Sequence, residues 1–143
     1  MADPLYTAHA HVTGGRTGGA ARTDDGKLDV RIEPPTELGG SGEGTNPEQL
    51  FAAGFASCFL SALKLVAGKR EVPADDATVD SDVHLFSEGR GFKLGVTLRV
   101  AMPGVDQDTA QKMVETAHEV CPYSNATRGN IEVELSVEES AAA

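Results

Sequence analysis
Tryptophan is absent from the 143 residues, and aromatic side chains make up only 5%. Aliphatic residues must therefore carry most of the burial that large rings would otherwise supply. Hydrophobic residues still reach 40%, enough for one core, and the length suits a single domain over residues 1–143. Basic residues are also scarce: 12 Lys and Arg stand against 22 Asp and Glu, a net charge of −10. Chains that neutralise phosphates carry a basic stripe, so no nucleic acid partner is expected. The N-terminal MADPLYTAHAHVTGG lacks the basic and then apolar pattern of a signal peptide. The longest apolar run, Leu50–Leu63, is about 14 residues against the ~20 that a membrane helix needs. These absences predict a cytoplasmic chain without membrane insertion.

Cysteine is nearly missing too. The two present, Cys58 and Cys121, lie 63 positions apart, with no CxxC and no paired Cys/His ligand set. That spacing matches no zinc site, and neither metal nor cofactor is expected. In a reducing compartment such a pair is more often reduced, catalytic or redox-sensing than a structural staple.

What is present reads as an α+β chain. LYTAHAHV alternates with Tyr6, Ala8, Ala10 and Val12 on one face, and KLDVRI with Leu28, Val30 and Ile32. Together with the turns GGRTGG and DDG these predict a β-meander of two or three short strands. The loop EPPTELGGSGEGTNPE ends in a helix start: Asn46 as cap, Pro47 at the first helical position and Gln49 three past the cap. The helix should run to about Ala67, with Gly68 as its stop. It carries no formal charge between Glu48 and Lys64 and is apolar on every face, which predicts burial all round. A hairpin follows, VDSDVHLF and FKLGVTLRV joined by SEGRG. A second helix capped by Asp106 carries the stripe Ala110, Met113, Val114, Ala117, Val120 and Cys121 and ends at Pro122. The final strand is Ile131–Val137. One chain with so few aromatics offers little cover for the first helix, and a homodimer enclosing it would supply the rest.

The chemistry-bearing candidates each have an ordinary alternative. Cys58 sits mid-helix, where a free Cys often serves as a small buried hydrophobe. Apolar surroundings raise a thiol's pKa and leave it inert unless a cation stands beside it. Cys121 lies on the apolar edge of the second helix and either packs there or meets Cys58 in a transient disulfide. The possible cations are Lys64, Arg128 and Arg16, the last set among glycines, where a solvent-exposed loop arginine is the ordinary alternative. Glu48 opens the helix, and its favourable meeting with the macrodipole explains it without further function. Ten residues of helix rise about 15 Å, so Glu48 of a straight helix does not touch its own Cys58. A shared site bends the chain or takes Glu48 from another subunit. GGSGEGTN lacks a Walker lysine and is no phosphate loop. The histidines are scattered, and no GxSxG appears.

The segments ELGG, NPEQLFAAGFASCF and VCPYSNATRGNIEV, with LYTAHAHVTGGRTG at the N-terminus, closely resemble the organic hydroperoxide resistance (Ohr) proteins of the Ohr/OsmC family. The likeness covers nearly the whole chain. It implies an intertwined OsmC-like homodimer and a thiol-dependent peroxidase acting on organic hydroperoxides, fatty-acid hydroperoxides included. By motif, Cys58 would be the peroxidatic cysteine and Cys121 the resolving one, with Arg16 and Glu48 forming the polar network that activates Cys58. The resemblance also implies a lipoyl dithiol, such as dihydrolipoamide on a lipoylated protein, as reductant. An OsmC-like peroxidase of different substrate range and a thiol redox sensor remain the alternatives. Phe51, Phe55, Phe59, Leu60 and Met113 are the expected apolar lining around Cys58.

Overall fold
The computed structural model describes residues 2–138 and is α+β. The chain divides into two compact units, Met1–Leu50 and Phe51–Ala143.

The first unit is an antiparallel meander of β1 (Ala10–Thr13), β2 (Gly19–Thr23) and β3 (Asp29–Ile32), in that order. The turn between β1 and β2 holds Arg16 and can exist only with glycine. Gly14, Gly15 and Gly18 have φ of 75°, 73° and 62°, the left-handed region that side chains disfavour. A Cβ on Gly19 would stand 2.1 Å from the Gly15 carbonyl oxygen. The Glu33 carboxylate accepts from the Gly18 N–H and, at 3.1 Å, from the Ser41 hydroxyl, fastening this turn to the loop after β3. That loop contains one 3-10 turn, Thr36–Leu38, and returns to pair Thr45 beside Ile32.

Helix α1 (Pro47–Lys69) starts where the sequence places it: the Asn46 Oδ1 accepts from the Gln49 N–H at 2.9 Å. Such a cap contributes about 1 kcal/mol. Its end differs from expectation. Gly68 stays helical, and the stop is Glu71 with φ 58°. The Glu71 N–H donates to the Gly68 carbonyl at 3.3 Å and the Val72 N–H to the Ala67 carbonyl at 2.9 Å. That pair of bonds is a Schellman motif, with Val72 packed on the core behind it.

In the second unit β4 (Thr78–Glu88) and β5 (Gly91–Ala101) form an antiparallel hairpin, and β6 (Val133–Val137) adds to β5 in parallel. The hairpin loop is only Gly89 and Arg90, shorter than the five-residue loop expected, because Ser87, Glu88 and Gly91 join the ladder. Helix α2 (Gln107–Val120) is capped by Asp106, whose carboxylate accepts from the Thr109 N–H at 3.0 Å. Pro122 does not simply end the helical stretch. After Cys121 breaks the helix with ψ 124°, Pro122 is the first residue of a further short helix, α3 (Pro122–Thr127). Proline suits that position because it lacks an N–H the helix could not use.

The core of this unit joins three elements: Phe55, Phe59 and Leu63 of α1, Val96, Leu98 and Val100 of β5, and Met113, Val114 and Ala117 of α2. Burial of α1 is one-sided within the chain, against the all-round burial its composition suggests. Ala53, Ser57, Ser61 and Lys64 face solvent, and Leu65 is 52% exposed. The 23-residue helix has a mean hydropathy of 1.9 over its most apolar 18-residue window, long and apolar enough to cross a membrane by those criteria alone. Val120, expected on the buried stripe of α2, is 42% exposed, since the break at Cys121 turns the chain there.

Candidate functional site
Each unit holds one pair of the expected site residues. In the first unit Arg16 reaches Glu48 with a two-pronged contact. Its two terminal nitrogens donate to the two carboxylate oxygens at 2.7 and 3.0 Å. This fork-to-fork geometry is specific to arginine. The hydrogen bonds to Glu48 raise the guanidinium above its ordinary pKa, so it is a permanent cation. Its side chain is half exposed, whereas that of Glu48 is only 15% exposed. The carboxylate is thus the fixed member, held in the first turn of α1, and the arginine is the reaching one.

In the second unit Cys58 and Cys121 are neighbours and not joined. Cys58 is half-buried on α1, and Cys121 is fully buried at the corner between α2 and α3. Burial pushes the Cys58 thiol above its usual pKa. A hydrogen bond from the Tyr123 backbone N–H pulls the other way, while the Cys121 thiol adds to the rise. The N–H of Tyr123 is free to point at sulfur because the first turn of a helix leaves its donors unused. Within this unit, then, Cys58 has a donor that favours the thiolate and surroundings that oppose it.

Sequence reasoning did not single out Tyr123. Its ring packs edge-on to Phe51 at 5.9 Å and tilted to Phe55 at 5.6 Å between centroids. Those contacts fasten α3 onto α1 and hold the Tyr123 N–H at Cys58. The one available signal was Pro122, which marks a helix start as well as a helix stop. Tyr123 and Phe51 also line an open groove of about 740 Å³ with Phe92, Leu94 and Ile131. Cys58 is not among the lining residues, and Tyr123 belongs to both places. Of the five residues expected around Cys58, Phe51 lines this groove, Phe55, Phe59 and Met113 are buried core, and Leu60 is half-buried.

The other two candidate cations are occupied or exposed. Arg128 donates to the Asn125 side chain at 2.6 Å and to the His118 carbonyl, and Lys64 faces solvent. Among the described residues, no three His, Cys, Asp or Glu side chains gather as a metal site would require.

The second unit thus sets two unjoined thiols side by side, one half-buried and one enclosed. The family described as OsmC-like protein matches residues 40–136. An organic hydroperoxide resistance protein of Xanthomonas axonopodis pv. citri (strain 306) is 52% identical over 96% of this chain and 99% of its own length. Solved structures agree. An organic hydroperoxide resistance protein from Legionella pneumophila superposes with a TM-score of 0.90 at 48% identity, covering 97% of this chain and 100% of that one. The protein OhrB of Bacillus subtilis does so with 0.85 at 45%, covering 94% and 100%. The chain belongs to the organic hydroperoxide resistance (Ohr) proteins of the Ohr/OsmC family.

Proposed function
We propose that the chain is a cysteine-based peroxidase that reduces organic hydroperoxides, alkyl and fatty-acid, to alcohols, and that it works in the cytoplasm. The observation that carries this reading is the Cys58 thiol set beside both a backbone donor and a second, enclosed thiol. The names of the relatives support the substrate class.

The Cys58 thiolate attacks the terminal oxygen of ROOH, the O–O bond breaks, and RO⁻ takes a proton to leave as the alcohol. Cys58 is left as a sulfenic acid. The Cys121 sulfur attacks it, a disulfide forms and water departs. A lipoyl dithiol then reduces the disulfide by exchange and becomes a disulfide itself. The apolar groove beside Tyr123 suits an alkyl chain better than hydrogen peroxide.

The first step needs a thiolate, and burial opposes one. We assign the counter-charge to Arg16, held by Glu48, which also meets the charge developing on the peroxide oxygens. Because about 15 Å of helix rise separates Glu48 from Cys58, the pair serves Cys58 of a second copy in an intertwined homodimer, which completes the single domain. The exposed outer side of α1 and the fully exposed strand β1 support such an assembly.

Stopped-flow mixing of the reduced protein with cumene hydroperoxide tests the reading. Rapid oxidation of Cys58 is expected, with intact mass showing the loss of two hydrogens. Consumption no faster than by free cysteine sinks it, and would favour a redox sensor. Light scattering that finds only monomer removes the shared site.

A further inference from the structure
Resting on the peroxidase reading, we propose that the hydrogen bond between His118 and Ser124, backed by Arg128, is a brace that positions Cys121 for disulfide closure on Cys58. His118 and Ser124 stand three residues before and three after Cys121, on opposite sides of the corner between α2 and α3. The His118 Nδ1 and the Ser124 Oγ are 2.8 Å apart. Ser124 is fully buried, and among the described residues its hydroxyl has His118 as its side-chain partner. The imidazole tautomer sets which of the two donates, and either arrangement ties the same pair of side chains. Arg128, at the end of α3, crosses the same corner a second time by donating to the His118 carbonyl.

The backbone on each side is tied as well. The Cys121 N–H donates to the Ala117 carbonyl at 2.8 Å, and the Cys121 carbonyl accepts from the Asn125 N–H at 3.0 Å. Between these ties Cys121 alone is extended, with φ −61° and ψ 124°. A corner bridged twice by side chains has little freedom left, and the Cys121 thiol is presented from it at a fixed place.

Closure makes demands that a fixed corner meets. A disulfide forms only within a narrow range of Cα separations and with its Cβ–S–S–Cβ torsion near a right angle. Holding two reacting groups in such an arrangement replaces a search by a near-attack geometry. The step itself joins the Cys58 sulfenic acid to the Cys121 thiol, forms the S–S bond, and releases one water carrying the sulfenic oxygen and the thiol proton. His118 takes no part in the bond changes; it is a positioning residue.

The test uses the full chain and one equivalent of cumene hydroperoxide, with peroxide consumption and disulfide formation timed separately. His118→Ala is expected to consume peroxide within about twofold of the parent and to close the disulfide about tenfold more slowly, a change of about 1.4 kcal/mol in barrier. Sulfenic acid trapped by dimedone should accumulate. His118→Asn, whose side-chain amide can accept or donate where Nδ1 stands, should restore closure. Ser124→Ala should slow it as His118→Ala does, and the double variant no further, as for two members of one interaction. Closure at the parent rate in His118→Ala overturns the brace, and so does slow closure that His118→Asn leaves unrepaired. A parent protein that consumes no peroxide overturns the peroxidase reading itself, an outcome the separate timing distinguishes.

Discussion
The hydroxyl end of Tyr123 lies over Gly54, one helical turn before Cys58: a Cβ built on Gly54 would stand 2.7 Å from the tyrosine Oη and 3.2 Å from Cζ. The glycine is the space in which the ring rests. Gly54→Ala should therefore displace Tyr123, although alanine favours the helix by about 1 kcal/mol over glycine. The backbone N–H moves with the ring, and the Cys58 thiol loses the hydrogen bond that opposes its burial. A rise in the thiol pKa, read from ultraviolet thiolate absorbance, is the expected result. An unchanged titration would mean that the N–H and the ring are not coupled.

Arg16→Ala should move the pH profile of the peroxide step toward alkaline pH. Burial raises the Cys58 pKa; a nearby cation lowers it, so removing the cation leaves less thiolate at neutral pH. Arg16→Lys should recover only part of the rate, because a point charge does not engage both oxygens of Glu48. Rates at several pH values for the three proteins decide it, and superimposable profiles would take Arg16 out of the site.

Cys58→Ser should abolish peroxide reduction. Cys121→Ser should permit one oxidation of Cys58 and then stall, with sulfinic acid appearing at excess peroxide. Intact mass after graded peroxide measures both, and undiminished dithiol-driven cycling in Cys121→Ser would remove its resolving role.

How much of this was legible in the sequence depends on which signals are local. The Asn46 cap, the Asp106 cap and the stripe Ala110, Met113, Val114, Ala117 state their roles within a few residues, and each stands as read. Cys58, Cys121, Arg16 and Glu48 were visible as motifs, and the pairing of Arg16 with Glu48 came from the family resemblance, since the glycines around Arg16 say only that it can reach. Helix α3 was not, because Pro122 reads equally as a stop or a start. The helix stop at Glu71 escaped because a glycine stood three positions earlier where one is usually found. Periodicity marks Phe55, Phe59 and Met113 as apolar-facing, yet it does not separate a closed core from an open groove. The donor at Cys58 is a backbone N–H, which no side chain announces.

Glu71→Gly offers a check on that helix end. A non-glycine residue in the left-handed region costs about 1–2 kcal/mol, and the Schellman bonds hold Glu71 there. The variant should be stabilised by about 1 kcal/mol, raising Tm by about 2–4 °C for a chain of this size. Thermal unfolding followed by circular dichroism measures it; a lower Tm would show that the glutamate side chain contributes more than its backbone costs.

His118 supplies a pH dependence of stability. Burial, with the Arg128 charge next, holds its imidazole below the ordinary pKa. The unfolded chain then binds a proton more readily than the folded one. Stability should be fully present above the ordinary histidine value of about 6.5 and decline as pH falls below it. In denaturant titrations across that interval the parent should lose stability relative to His118→Asn as pH falls, and parallel curves would assign the decline to other groups.

Cys121 has no exposed surface in the chain. A soluble alkylating reagent thus modifies Cys58 at a rate set by its own concentration, whereas its reaction with Cys121 waits for the fold to part. At high reagent the second modification becomes independent of reagent and reports only how often the α2–α3 corner opens. The same enclosure that keeps this thiol for its partner makes it a clock for the local motion of the protein around it.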